Sequence, residues 1–85
     1  MLKDQRDKID AIDLELVRLL ERRYSCVAEI IEKKKKHQLP ILDEEREIEV
    51  IQKIKNGVTV SEYEDPIVES MQMIMDISKS YQAKK

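Results

Sequence analysis

Trp and Phe are absent from this 85-residue chain, and Tyr24, Tyr63 and Tyr81 are its whole aromatic content. That removes the stacking platforms on which single-stranded nucleic acids are held. Gly57 is the single glycine and Pro40 and Pro66 the two prolines, so there is no glycine-rich phosphate loop and little to interrupt a helix. A lone Cys26 cannot close an internal disulfide and fits a reducing cytosol. Its simpler reading is a small buried apolar residue. No long apolar run exists, so neither a signal peptide nor a membrane span is expected, and a cytoplasmic location follows as the expectation. Charge of one sign is missing too: Lys and Arg total 16 against 18 Asp and Glu. A general binder of nucleic acid or anionic membrane would be basic, so neither is expected.

What remains is helical. Leu2 to about Lys36 holds no Gly or Pro and predicts a helix over about 3–36, roughly 50 Å long. Leu2, Ile9, Ile12, Leu16, Leu19, Leu20, Val27 and Ile30 recur at 3/4 spacing and form one stripe. A small domain cannot cover a stripe of that length alone, which points to oligomerisation. His37-Gln38-Leu39-Pro40 breaks the helix, with His37 as a solvated loop residue. Asp43 reads as the cap of a second helix over about 43–56, carrying Ile48, Ile51 and Ile54 inward and stopping at Asn56-Gly57. Ser61 and Glu64 have capping-box spacing, which allows a turn of helix from Ser61, but Asp65-Pro66 is the stronger start of a third helix over about 65–82. Its apolar face is Ile67, Met71, Ile74, Ile77 and Tyr81. No β-type alternation occurs, so the fold class is all-α, one domain of three unequal helices.

Polar residues interrupt these faces. With Leu16 as zero, Arg23 falls about 20° away and Lys34 almost in line. Glu47 lies about 40° from Ile51 on the second helix, Ser78 sits within the third helix's face and Gln82 at its edge. Arg6, Asp43 and Arg46 flank the set. Buried unpaired cations cost several kcal/mol, so Arg23 and Lys34 call for an anion, either a carboxylate of the chain or one carried by a ligand. A structural ionic core with Glu47 is one reading; a ligand site is the other. The Lys33 to Lys36 run is mainly a solvated helix end, and Arg22 lies off the stripe. Arg6 precedes Lys34 by 28 residues, about 42 Å along a helix, too far to share a small ligand within one chain. Two copies crossing antiparallel near residues 19 and 20 would bring Arg6 of one beside Lys34 of the other, and twofold symmetry would make two such sites. The set offers no nucleophile with its base and no metal-ligand cluster, so no metal or other cofactor is expected, and positioning with electrostatic stabilisation is the chemistry left.

These residues resemble the all-helical (AroQ) class of chorismate mutases over essentially the whole chain. The likeness rests on Arg6 to Asp13, Leu19-Leu20-Glu21-Arg22-Arg23, Ile30 to Lys34, Pro40 to Glu47, and Ser78 with Gln82. Each is weak alone; eight polar positions in order are specific together. The resemblance implies an intertwined, cofactor-free homodimer that rearranges chorismate to prephenate in aromatic amino-acid biosynthesis. Arg23 and the partner's Arg6 would hold the two substrate carboxylates, assisted by Ser78 and Arg46. Lys34 and Gln82 would donate to the ether oxygen, and Glu47 and the backbone at Asp43 would meet the ring hydroxyl. Two rivals stand beside it: isochorismate-pyruvate lyase on the same fold, and a non-catalytic helical dimerisation or regulatory module. Docking on another shikimate-pathway enzyme is a further expectation. The chain departs from the family in its short length, its Asp65-Pro66 linker and its Met-rich third helix, with Met71, Met73 and Met75.

Overall fold

The computed structural model describes residues 1–85, which form a rod-like molecule of 54 × 24 × 16 Å. Three α-helices follow one another, α1 over Lys3–His37, α2 over Glu44–Gly57 and α3 over Glu64–Ala83, with a 3₁₀ turn over Ser61–Tyr63 leading into the last. No strand is present.

Each helix end has a local cause. α1 has no side-chain cap; Asp4 lies in its first turn, and Lys3 pairs with Asp7 at 2.8 Å. Lys34, Lys35, Lys36 and His37 occupy the last turn, where cations meet the negative end of the helix dipole. The helix runs one residue beyond the expected Lys36, so His37 is helical rather than part of the loop. Gln38 then adopts the left-handed conformation at φ 57°, and the Leu39 amide donates to the Lys34 carbonyl at 2.8 Å. This is a Schellman closure.

Asp43 caps α2 as expected, its side chain accepting from the Arg46 amide at 3.0 Å. The other end differs. Gly57 is the last helical residue and has no positive φ, so it is not the left-handed cap the Asn56-Gly57 pair predicts; Val58, extended, ends the helix instead. α3 also starts earlier than Asp65-Pro66 predicts. The 3₁₀ turn is continuous with Glu64, and Tyr63 rather than Asp65 or Ser61 stands at the cap without a side-chain bond. Pro66 therefore sits third in the helix, where its missing N–H has no intrahelical acceptor to lose.

α3 is the central element, packing against both α2 and α1. The core is slight: Val27, Ile31, Met75 and Ser78 are the four buried residues. Tyr24 and Tyr81 meet edge-to-face at 5.4 Å between centroids and tie α1 to the end of α3. Three inward assignments shift by a residue or so. Ile31 rather than Ile30 is buried, Ile48 of α2 is exposed in favour of Val50, Ile51 and Ile54, and Ile77 of α3 is exposed while Met75 goes inside. Cys26, expected inside, is exposed at the rim of the cavity between the helices.

The first half of α1 touches nothing. Residues 1–19 are all exposed, and Leu2, Ile9, Ile12, Leu16 and Leu19 each leave about half their surface in water. Nothing else in the chain covers this apolar stripe.

Candidate active site

Where the second half of α1 meets α2 and α3, the chain forms a half-open cavity of about 400 Å³. Arg23 and Lys34 reach it from α1, Asp43, Arg46 and Glu47 from the start of α2, and Ser78 and Gln82 from the end of α3. Seven of the eight polar residues singled out in the sequence thus share one chamber. Arg6 is not among them; it lies on the exposed arm. Cys26, Val27, Ile30, Ile41, Val50 and Met75 form the apolar part of the wall.

The polar groups are individually constrained. Lys34 donates to the Ile41 carbonyl at 2.8 Å and to Gln82 Oε1 at 3.1 Å. An ammonium has three donors, so one is left over. Because Gln82 gives its oxygen to Lys34, its Nε2 amide is a second donor at the same spot. α1 and α3 therefore present a cation and a neutral amide side by side, held by the loop between α1 and α2.

Arg23 is more unusual. Its Nη1 is buried and has no hydrogen-bond partner, a state that costs a charged donor heavily unless something fills the cavity. The ionic-core reading is not what the chain builds: neither Arg23 nor Lys34 bonds to Glu47. That carboxylate is taken by Lys79, whose ammonium donates to Oε1 at 3.1 Å and Oε2 at 3.4 Å. Lys79 also lies 3.4 Å from Asp76. The hydrogen bond it donates to Glu47 holds the Lys79 pKa above its ordinary value, against the opposing effect of burial. Arg46 spends one guanidinium nitrogen on Glu49 at 2.6 Å. Ser78 is buried at the cavity wall.

Lys79 also lines the cavity and was not among the candidates read from the sequence. Two signals pointed to it: Glu47, inward on its own helix, lacked a partner, and Lys79 follows Met75 by four residues, about 40° away on the wheel.

Four cations face two carboxylates in the lining, an excess of two positive charges. Such a chamber can bind a small dianion and stabilise negative charge that develops on a bound oxygen near Lys34 and Gln82. No three His, Cys, Asp or Glu side chains are grouped as a metal would require, and no helix is long and apolar enough to cross a membrane.

Comparison with known proteins gives two findings. The family described as chorismate mutase type II matches residues 5–83. The T-protein of Haemophilus influenzae (strain Rd) is 43% identical over 51 residues, 60% of this chain and 14% of that protein; the chain thus spans a small part of the length of this relative. No solved structure matches it.

Proposed function

The chain belongs to the chorismate mutase type II family, and from that premise we propose that it catalyses the rearrangement of chorismate to prephenate as a homodimer, in aromatic amino-acid biosynthesis. The observation that carries the reading is the buried, unpartnered Arg23 Nη1 in a chamber with two excess positive charges. A substrate with two carboxylates supplies the missing acceptor.

In this reading Arg23 takes one carboxylate and the partner's Arg6 the other, with Arg46 and Ser78 assisting. The reaction is pericyclic: a C–O bond breaks as a C–C bond forms, and the ether oxygen gathers negative charge on the way. Lys34 and Gln82 Nε2 donate to that oxygen. Because its charge is greater in the transition state than in the substrate, the pair lowers the barrier rather than merely tightening binding. Glu47 accepts from the ring hydroxyl, and the backbone at Asp43 meets the same group. Enclosing the dianion in a compact, near-attack shape supplies the remainder.

The dimer completes both the site and the core. Along a straight α1, Arg6 stands about 25 Å from Arg23 and about 42 Å from Lys34, so it reaches a cavity through a second copy crossing antiparallel. The same crossing covers the exposed stripe of residues 2–19. The test is spectroscopic: purified protein should consume chorismate and yield prephenate. Chorismate left intact refutes the reading, and pyruvate released from isochorismate instead would make the protein a lyase.

A further inference from the structure

Glu47 and Lys79 stand 32 residues apart, on different helices, and both border the cavity. Lys79 grips both carboxylate oxygens from α3, and Asp76, one turn earlier, steadies the ammonium from behind at 3.4 Å. Neither partner is free to wander, since the side chains are 33% and 22% exposed.

The other charged groups around Glu47 are otherwise engaged or unbonded to it. On α1, Lys34 is tied to Ile41 and Gln82, and Arg23 makes no bond to Glu47; on α2, Arg46 binds Glu49 and Asp43 caps the helix. Lys79 is thus the one cation hydrogen-bonded to this carboxylate. A carboxylate has about four acceptor sites; the clamp uses two and leaves room for a hydroxyl donor. It also offsets a negative charge that would otherwise repel a dianion entering the same chamber.

We propose that Lys79 is a positioning residue, holding the Glu47 carboxylate against α3 as a fixed acceptor and so selecting a substrate that carries a free ring hydroxyl opposite its carboxylates. The inference rests on the chorismate reading of the site, and its test separates the two. Lys79→Met should lower kcat/KM for chorismate by about tenfold, the order of one charge-assisted hydrogen bond, and Lys79→Arg should recover most of that loss. Because Lys79 acts through Glu47, the double variant Lys79→Met, Glu47→Gln should be no slower than Glu47→Gln alone. Toward the O-methyl ether of chorismate, which has no hydroxyl to donate, Lys79→Met should change little. Additive losses, or full activity in Lys79→Met, overturn the proposal.

A second measurement needs no turnover. NMR titration of the Lys79 ammonium should show it losing its proton at higher pH in the intact protein than in Glu47→Gln, since the Glu47 hydrogen bond is the chief cause of its raised pKa. Identical titration in the two proteins overturns the clamp even in an active enzyme. Intact protein that leaves chorismate untouched overturns the reading of the site, a failure that the titration distinguishes from failure of the clamp.

Discussion

Residues 3–19 and residues 20–37 of α1 carry one continuous apolar stripe, yet every residue of the first stretch is exposed, while the second contributes Val27 and Ile31 to the core and Arg23 and Lys34 to the cavity. The helix is equally regular in both. The difference is what the chain supplies to cover them: α3 folds back onto the second half, and nothing reaches the first. Periodicity therefore records which face must be buried without recording whose surface buries it. Five Leu and Ile side chains on the arm are about half exposed. Burying what remains of them would contribute on the order of 5 kcal/mol per protomer, comparable to the whole stability of a small domain.

The largest effect should come from attacking that arm. Ile12→Asp combined with Leu19→Asp places charge on the stripe while leaving every cavity-lining residue in place. The variant should sediment as a monomer and lose at least a hundredfold in turnover, because each site would forfeit Arg6 and its cover. A variant that stayed assembled and active would break the contrast between the two halves.

Next comes complementation between the halves. Lys34→Ala and Arg6→Ala proteins should each be nearly inactive, by about 10²- to 10³-fold, the first for loss of the donor at the ether oxygen and the second for loss of a carboxylate partner. Equal mixing after subunit exchange should restore about a quarter of native activity, since half the dimers would be hybrids with one intact site of two. Confirmed exchange with no recovery would mean that Arg6 and Lys34 serve no common site.

The smallest effect is a calibration on α2, away from either half. Glu49 receives hydrogen bonds from Lys53 and Arg46, which hold its carboxyl below the ordinary value, the Lys53 bond most of all. A lowered pKa in the folded state adds stability above the ordinary carboxylate value and loses it as pH falls through the folded one. Glu49→Gln should lower Tm by a degree or so at neutral pH, a gap that closes in acid, with no change in assembly. An equally small response to the stripe variants would show that the arm is an ordinary solvated surface.

The contrast also explains what could be read beforehand. A run without Gly or Pro set the extent of α1, and Asp43 marked the start of α2, because both depend on local chemistry. The start of α3 was misplaced because Asp65-Pro66 is a strong local signal that a continuous 3₁₀ turn overrides. Ile48 and Ile77 were turned inward on paper because their spacing is helical, but the true inward lines are set by α3 lying between two neighbours. Seven cavity residues stood out as polar interruptions of apolar faces. Lys79 did not, since a lysine on an amphipathic helix is unremarkable until the carboxylate across from it is located.

Gln38 has a practical consequence for anyone redesigning this protein. Its left-handed backbone turns the chain so that the Ile41 carbonyl lands on the Lys34 ammonium, which means one torsion outside the chamber helps decide where a charge inside it points. Grafting a relative's 38–43 segment, or rebuilding it with β-branched residues that resist positive φ, would re-aim that ammonium without touching a single wall residue of α1 or α3. Lys34 and the loop behind it are best exchanged as one cassette.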